Sequence, residues 1–263
     1  MKPLFLLILL LTSAVSFSFS QIWLVKAKNT IIINSDGSVD GTDLLQRNDN
    51  TYTFLSDIFA NIVVLKDFIT IDGSGYTLKG SGDSDQTGIR LSHLKNVTIK
   101  NIEIIDFVTG ISSGPAVNTS TYITIWGNYI HDCVSGIELL GSYDNLIKYN
   151  TFRNNSIDIG LAYVFGNNFI IQNNLDSFVG VWVSDQPTID MNYWTAYNGT
   201  DNDGDGIGDT QYYYYDILQD NHPLIEPVSI IPEFPSWTIL PLLFVACLVG
   251  VIFRNKLRKN DLE

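Results

Sequence analysis

The sequence predicts an all-β protein whose body is a parallel β-helix, built from coils of about 22 residues that each contain three short strands. A short pattern, Gly or Asp followed by apolar-x-apolar, returns five times between Gly88 and Val183, with Ser113 in place of the last apolar residue in the second copy. The leading apolar residues of the five copies are spaced by 22, 26, 22 and 22 residues. A near-constant period of this size is typical of a solenoid. The five leading residues are Ile89, Ile111, Ile137, Ile159 and Val181.

Two further sets of alternating segments complete each period. No segment is long enough for a helix, and strict alternation indicates half-buried strands. The residues between the segments are Asn, Gly, Ser and Asp, which favour turns. We therefore expect Ile, Val, Leu and Phe to face inward and Thr, Lys, Glu, Arg and Ser to face outward; a β-sandwich with regular turns is the alternative. The second set is 96–99, 122–125, 145–147 and 169–171, and the third is 102–104, 129–130, 151–152 and 175.

A ladder of asparagines is expected at one corner of the coils. Asn128 and Asn150 are 22 residues apart, and Asn173 follows 23 residues later. Asn tolerates the left-handed backbone conformation that a tight corner needs. The spacing therefore predicts that these side chains stack along the solenoid.

Composition divides the chain into seven segments. Residues 1–20 are typical of a signal peptide, because Lys2 precedes an apolar stretch at 4–11 and small residues follow; an uncleaved anchor is the alternative. Residues 237–253 carry no charge and precede four basic residues, which predicts a short transmembrane helix with a cytoplasmic tail. The predicted segments are a signal peptide (1–20), entry strands and cap (21–68), β-helix coils (69–196), an Asp-rich calcium loop with a C-terminal cap (197–229), a Pro-rich linker (230–236), a transmembrane helix (237–253) and a basic tail (254–263).

The sharpest local motif is the Asp-rich loop after the coils. Acidic residues at loop positions 1, 3, 5 and 9, a glycine at 6 and a backbone carbonyl at 7 suit the oxygen coordination of Ca²⁺. The loop resembles the calcium loops of thrombospondin type 3 repeats and dockerins, although Tyr212 stands at position 12 in place of the EF-hand glutamate. A solvated acidic turn is the alternative, and the predicted role of the ion is structural. The predicted ligands are Asp201, Asp203, Asp205, Ile207 and Asp209.

Residues 52–80 resemble the opening of NosD-like right-handed parallel β-helix proteins of archaeal cell surfaces, with Ile-Thr-Ile-Asp-Gly-Ser-Gly-Tyr-Thr-Leu at 69–78 as the central part. Asn-Val-Thr-Ile-Lys-Asn at 96–101 and Asn-Tyr-Trp at 192–194 are similar to that family as well. The resemblance implies right-handed coils. Relatives of the fold include polysaccharide lyases, hydrolases, epimerases and proteins without known chemistry. NosD itself is linked to copper delivery, but soft ligands for copper(I) are few here. They are Met191, Cys133, His93, His131 and His222.

Pro-Glu-Phe-Pro at 232–235, followed by the apolar and basic segments, resembles the PEF-type C-terminal sorting signal of archaeal surface proteins. This resemblance implies an exported protein held at the cell membrane, with most of the chain outside the cell. Four Asn-x-Ser/Thr sequons suit an exported glycoprotein. Asn118 and Asn198 are the better acceptors among them.

The leading functional hypothesis is a non-catalytic surface protein that binds glycans or neighbouring envelope proteins. A net charge of −13 argues against nucleic acid as a partner. The alternatives are a carbohydrate-active lyase or hydrolase and, third, a copper delivery factor. A lyase would need carboxylates beside an Arg or Lys. The candidate catalytic residues, which fall on different coils, are Arg90, Asp132, Arg153 and Asp158.

Overall fold

The structure, a computed structural model, describes residues 30–81, 86–114, 120–163, 166–182, 186–214 and 218–229. The predicted signal peptide, linker, transmembrane helix and basic tail, together with Asn118, lie outside the described residues. Within the described ranges, no helix is long and apolar enough to cross a membrane.

The described residues form 24 short strands. The first eight are β1 (Thr30–Ile33), β2 (Val39–Asp40), β3 (Leu45–Asn48), β4 (Thr51–Phe54), β5 (Asn61–Val64), β6 (Ile69–Asp72), β7 (Thr77–Lys79) and β8 (Thr87–Leu91). The next eight are β9 (Val97–Lys100), β10 (Glu103–Ile105), β11 (Thr109–Ser112), β12 (Thr124–Trp126), β13 (Tyr129–His131), β14 (Ser135–Leu140), β15 (Leu146–Lys148) and β16 (Thr151–Arg153). The last eight are β17 (Ile157–Ala162), β18 (Phe169–Ile171), β19 (Asn174–Leu175), β20 (Phe178–Trp182), β21 (Thr188–Asp190), β22 (Tyr193–Trp194), β23 (Tyr212–Tyr214) and β24 (Leu218–Asp220).

Three sheets run the length of the solenoid, and successive strands of a coil join sheets A, B and C in turn. Sheet A has the order β2-β1-β5-β8-β11-β14-β17-β20, sheet B has β21-β18-β15-β12-β9-β6-β4-β3, and sheet C has β22-β19-β16-β13-β10-β7. Strands of successive coils pair in parallel, as in β12 with β15 and β10 with β13. The described residues therefore confirm the predicted all-β parallel β-helix with three strands in each coil.

Inward side chains stack in columns that form the core. Equivalent residues of successive coils lie about 4.8 Å apart, so each aliphatic side chain packs on those above and below it. Burying one such side chain stabilises the fold by roughly 1.5–3 kcal/mol. The column of sheet B, in which no residue is more than 4% exposed, comprises Ile71, Ile99, Ile125, Ile147, Ile170 and Ile189.

The parallel ladders begin upstream of residue 69. Strand β1 pairs in parallel with β5, and β4 pairs in parallel with β6, so the strands predicted as an entry segment already form part of the solenoid. Two antiparallel strands, β2 against β1 and β3 against β4, cover the first edges of sheets A and B. The open edge of each sheet is thereby left to a short strand of two or four residues, which offers few backbone groups to another chain.

Sheet A departs from the predicted period at its last strand. The sequence predicted that Val181 follows Ile159 in the column of inward residues of sheet A. That prediction was wrong by one inward position, because Ile159 pairs with Val179. The register shifts between Ile157 and Ile159, which leaves Asp158 as an extra residue opposite the partner strand. Such a bulge re-aims the side chain of the extra residue.

The predicted asparagine ladder is present, but its physical cause differs from the predicted one. Asn128, Asn150 and Asn173 are at most 1% exposed, and Asn192 extends the ladder. At each step the backbone N–H and the side-chain Nδ2 of one Asn donate to the Oδ1 of the next, at 3.0–3.1 Å. The left-handed residue is the preceding one, such as Tyr149 at φ 59°. The asparagines therefore satisfy buried amide groups and do not adopt the left-handed conformation themselves.

Candidate functional site

The outer face of sheet B carries a row of basic and aromatic side chains. Parallel register aligns Lys100 on β9, Trp126 on β12 and Lys148 on β15. The three residues follow one another at the strand spacing of about 4.8 Å, with the tryptophan between the two lysines. Lys100, Trp126, Lys148 and the adjacent Tyr149 are called the Trp126 platform below.

The two aromatic rings of the Trp126 platform support each other. Trp126 and Tyr149 meet edge to face, with centroids 6.2 Å apart and an interplanar angle of 84°, a geometry that aromatic quadrupoles favour. Lys148 Nζ lies 4.5 Å from the centroid of the Tyr149 ring, within reach of a cation–π interaction. The corner position beside Tyr149 in the preceding coil is Gly127, where an added Cβ would meet only Asn101 Oδ1, at 3.4 Å. No atom of Tyr149 therefore lies within 4 Å of that position.

Hydroxyl groups flank the Trp126 platform. Thr98 and Thr124 are aligned in the neighbouring outward row of the same sheet. Trp126 is half-buried, so part of its indole ring faces solvent. An aromatic ring can pack on the apolar face of a sugar ring, and hydroxyl and ammonium groups beside it can donate hydrogen bonds to the sugar oxygens.

Trp126 does not stand out when the sequence is considered one strand at a time. Each residue of the aligned row directly follows the inward Ile of its own strand, because outward and inward residues alternate. Aligning the outward positions of successive coils, in addition to the inward ones, would have found the row.

A second polar cluster lies around His131 on the outer face of sheet C. His131 Nδ1 is 2.6 Å from Asp132 Oδ2, and Nε2 is 3.1 Å from Glu103 Oε1. The imidazole stacks on Tyr129, with centroids 4.2 Å apart. Because an ionised carboxylate only accepts hydrogen bonds, the imidazolium is the one form of His131 that donates to both partners.

The carboxylates of this cluster are held in their ionised form. Burial alone would raise the pKa of Glu103, but hydrogen bonds from Thr77 and His131 outweigh it and keep this pKa below its usual value. The hydrogen bond from Asn154, followed by that from His131, lowers the pKa of Asp132. Both ring nitrogens and both carboxylates are thus already engaged with one another.

Two of the four predicted catalytic residues lie together in this cluster. Asp132 follows β13 and contacts His131, and Arg153 is paired with His131 in the register of β13 and β16. Arg90 is exposed on β8 of sheet A, which is a different face of the solenoid. The four residues therefore do not form one site.

Asp158, the fourth candidate, is a buried structural carboxylate. It is 0% exposed, and its Oδ2 accepts hydrogen bonds from the backbone N–H groups of Asp176 and Ser177 at 2.8 and 2.7 Å. Burial raises the pKa of Asp158, and these hydrogen bonds, with one from Asn155, act against that rise. The bulge at this position turns the carboxylate inward, where it accepts hydrogen bonds from the backbone of the next coil.

Soft metal ligands are not brought together among the described residues. A groove of about 350 Å³ beside Asp132 includes Cys133, but burial raises the pKa of the Cys133 thiol to about 11, which disfavours the thiolate. In the described part of the chain, one group of three His, Cys, Asp or Glu side chains is close enough to share a metal ion. That group consists of Asp201, Asp203 and Asp205.

The Asp-rich loop brings these three predicted calcium ligands within 4.8 Å of one another. The Gly206 N–H donates to Asp201 Oδ2 at 2.9 Å and, with other loop amides, lowers the pKa of Asp201. Asp209 is outside this group of three, and its Oδ2 accepts hydrogen bonds from the backbone and side-chain amides of Asn202 at 3.1 and 2.6 Å. Ile207 forms an antiparallel bridge with Leu224, which ties the loop to the end of the chain's described part.

Asp220 closes the last coil. Its Oδ2 accepts hydrogen bonds from the backbone and side-chain amides of Asn192 and from Trp194 Nε1, at 2.9–3.1 Å. Its Oδ1 accepts from the backbone N–H groups of Met191 and His222, at 3.0 and 3.2 Å. Trp194 is 3% exposed and packs on the β23–β24 hairpin, so it belongs to the cap at the end of the solenoid.

The comparisons with known proteins agree with this architecture. A family model described as a right-handed beta helix region matches residues 20–193. No curated protein and no solved structure matches the chain. The match covers well over half of the 263 residues and ends at β22, in the last coil. The chain therefore belongs to the right-handed β-helix family.

Proposed function

We propose that this chain is an exported, membrane-anchored cell-surface protein. It binds polysaccharides, or the glycans of envelope partners, and catalyses no reaction on them. The Trp126 platform is the observation that carries the proposal. Trp126 and the two lysines project from paired strands, and Tyr149 from the corner after β15, so their backbone positions are already fixed when a ligand binds.

The distribution of candidate acids and bases supports a binding role. Asp158 is enclosed by backbone donors, and Arg90 lies on a different sheet from Asp132 and Arg153. Both nitrogens of His131 already face carboxylates. A general base needs a lone pair directed at its substrate, and no ring nitrogen of this cluster meets that need as it stands.

Trp126→Ala tests the proposal in the full-length protein. Binding to a panel of soluble polysaccharides is measured by affinity electrophoresis, and we expect the variant to lose about tenfold in affinity for the retained polymers. Tyr213→Ala is the matched control, because it removes a 53% exposed aromatic ring from the cap hairpin. If Trp126→Ala binds the polysaccharides as tightly as the wild type, or if Tyr213→Ala loses as much affinity, the Trp126 platform is not the binding site.

Sequence features support the surface location. These are the signal-like leader, the apolar segment at 237–253 with its basic tail, and the resemblance to NosD-like proteins and to PEF-type sorting signals. Asn198 is exposed, as a glycosylation acceptor must be. Deleting residues 230–263 tests the anchor: the truncated protein should appear in the medium, and continued recovery with the membrane fraction would argue against it.

The Asp-rich loop is proposed to bind one structural Ca²⁺. Three carboxylates within 4.8 Å of one another repel unless a cation is present, and Ca²⁺ prefers such oxygen ligands. Asp201, Asp203 and Asp205 would hold the ion, with the Ile207 carbonyl and Asp209 as the remaining predicted ligands. Because the loop bridges to Leu224, the ion would stiffen the C-terminal cap.

The His131 cluster favours one other function, a carbohydrate-active enzyme. A His–carboxylate pair such as His131 and Asp132 is a common general base, and it would act here once Glu103 moved away from Nε2. His131→Ala distinguishes the two functions. An enzyme would no longer form new sugar ends in this variant, while the polysaccharide would still bind the protein as strongly as before.

A further inference from the structure

We propose that the Trp126 platform selects anionic glycans, meaning polysaccharides that carry carboxylate or sulfate groups. This inference rests on the proposed glycan-binding function and names the ligand class for that site. It starts from the charge of the outer face of sheet B, which differs from that of the whole chain.

The chain has 28 acidic and 15 basic residues. Strands β9, β12, β15 and β18, which form the middle of sheet B, contain two lysines and no Asp or Glu. The nearest acids in the same outward row are Asp72, one strand before Lys100, and Asp190, two strands after Lys148. The middle of this face is therefore a basic area on an acidic protein.

The two lysines are placed differently. Lys100 Nζ lies 3.0 Å from Asp72 Oδ2, so its charge is partly compensated. Lys148 Nζ lies over the Tyr149 ring, and no acidic partner of Lys148 occurs among the described residues. The ring positions the ammonium group without neutralising it, and an incoming anion can therefore pair with it.

The row sets the direction in which a ligand would bind. Lys100 and Lys148 are two strand spacings apart, roughly 9.6 Å, with Trp126 midway. A glycan chain that runs across the strands would stack one sugar ring on Trp126 and present acidic groups of its neighbours to the two lysines. A neutral glycan would gain the stacking contact alone.

The test uses the full-length protein and polymers that share a backbone and differ in charge. Polygalacturonate is compared with its fully methyl-esterified form, and dextran sulfate is compared with dextran, in affinity electrophoresis at low and high salt. We expect at least one anionic polymer to bind the protein, and its neutral counterpart to bind at least about tenfold more weakly. High salt should weaken binding to the anionic polymer.

The variant pair Lys100→Gln with Lys148→Gln should lower affinity for the anionic polymer about tenfold. The matched control is the double variant Lys66→Gln with Lys95→Gln. It makes the same change in net charge in the turns that precede β6 and β9, at the other end of the sheet B strands, and it should bind as the wild type does. Retention of the protein by polygalacturonate but not by dextran sulfate, or the reverse, identifies which anionic group the platform binds.

Three results would overturn the inference. Equal retention by neutral and anionic polymers that still requires Trp126 would refute the charge selection and leave the proposed glycan binding in place. Retention by single-stranded DNA equal to that by the anionic polysaccharides would show that charge alone is recognised. No retention by any polymer would refute the proposed function itself, and the inference with it.

Discussion

Replacing Asp220 by alanine removes the group that ends the asparagine ladder. This carboxylate is 1% exposed and accepts five hydrogen bonds, three at Oδ2 and two at Oδ1. At about 1 kcal/mol for each bond, Asp220→Ala lowers the free energy of unfolding by roughly 5 kcal/mol. That is a large effect for one substitution, because typical values are about 0.5–3 kcal/mol.

Asp220→Asn is the matched variant. Its carbonyl oxygen can still accept the three bonds from Asn192 and Trp194, as the Oδ1 of each ladder asparagine does for the residue before it. Its NH₂ group faces the N–H groups of Met191 and His222, so two bonds are lost and the cost is about 2 kcal/mol.

Urea unfolding followed by tryptophan fluorescence gives the two free energies, and hydrogen exchange at Met191 and Asn192 shows whether the cap opens first. We expect both amides to exchange faster in Asp220→Ala than in Asp220→Asn. A loss below about 1 kcal/mol in Asp220→Ala, or equal losses in the two variants, would refute the role of the carboxylate as the end of the ladder.

Three further predictions concern the loop, the core and the outer face of sheet C. Asp203→Ala with Asp205→Ala should abolish a calcium-dependent rise in melting temperature of about 5–10 °C and change the calcium-free value little; a rise that survives would exclude the loop as the site. Ile137→Asp should cost more than about 4 kcal/mol and prevent soluble expression, because the side chain it replaces is 0% exposed; a soluble variant with the wild-type melting temperature would show that this position faces outward. The pKa of Glu103 is held below its usual value of 4.5, so its ionised form stabilises the fold above that pH and the contribution is lost as the pH falls. Glu103→Gln should therefore lower the melting temperature at pH 7 more than at pH 3; equal losses at both would contradict the assigned contacts.

The fold could be predicted from the sequence because solenoid coils repeat one local rule. Inward residues such as Ile99 and Ile125 recur at the same place in each strand, and their alternation with polar residues fixes which face is buried. The position of Val181 could not be predicted in this way. Ile157 pairs with Phe178, which is one residue nearer than the 22-residue period, and a bulge at Asp158 changes the count by one residue more. The bulge is stabilised by hydrogen bonds with the next coil, and these contacts cannot be seen in the sequence around Asp158.

The candidate site was harder to predict than the fold. Outward residues are under no common packing constraint, so Trp126 is conspicuous only after the coils are aligned with one another. Asp132 follows His131 directly in the sequence, but it is the pairing of β13 with β16 that places Arg153 beside them. The Asp-rich loop was visible because its acidic residues follow one another in the sequence, whereas the hydrogen bonds between Asp209 and Asn202 depend on the local fold of the loop.

The central claim is that the protein binds glycans and does not transform them. One experiment measures both properties: the full-length protein is incubated with the polysaccharide panel in the presence of calcium, and retention is recorded together with the release of unsaturated or reducing sugar ends. We predict retention that depends on Trp126, with no release of new ends above the protein-free control. Release of sugar ends that is lost in His131→Ala would contradict the account and identify the His131 cluster as an active site.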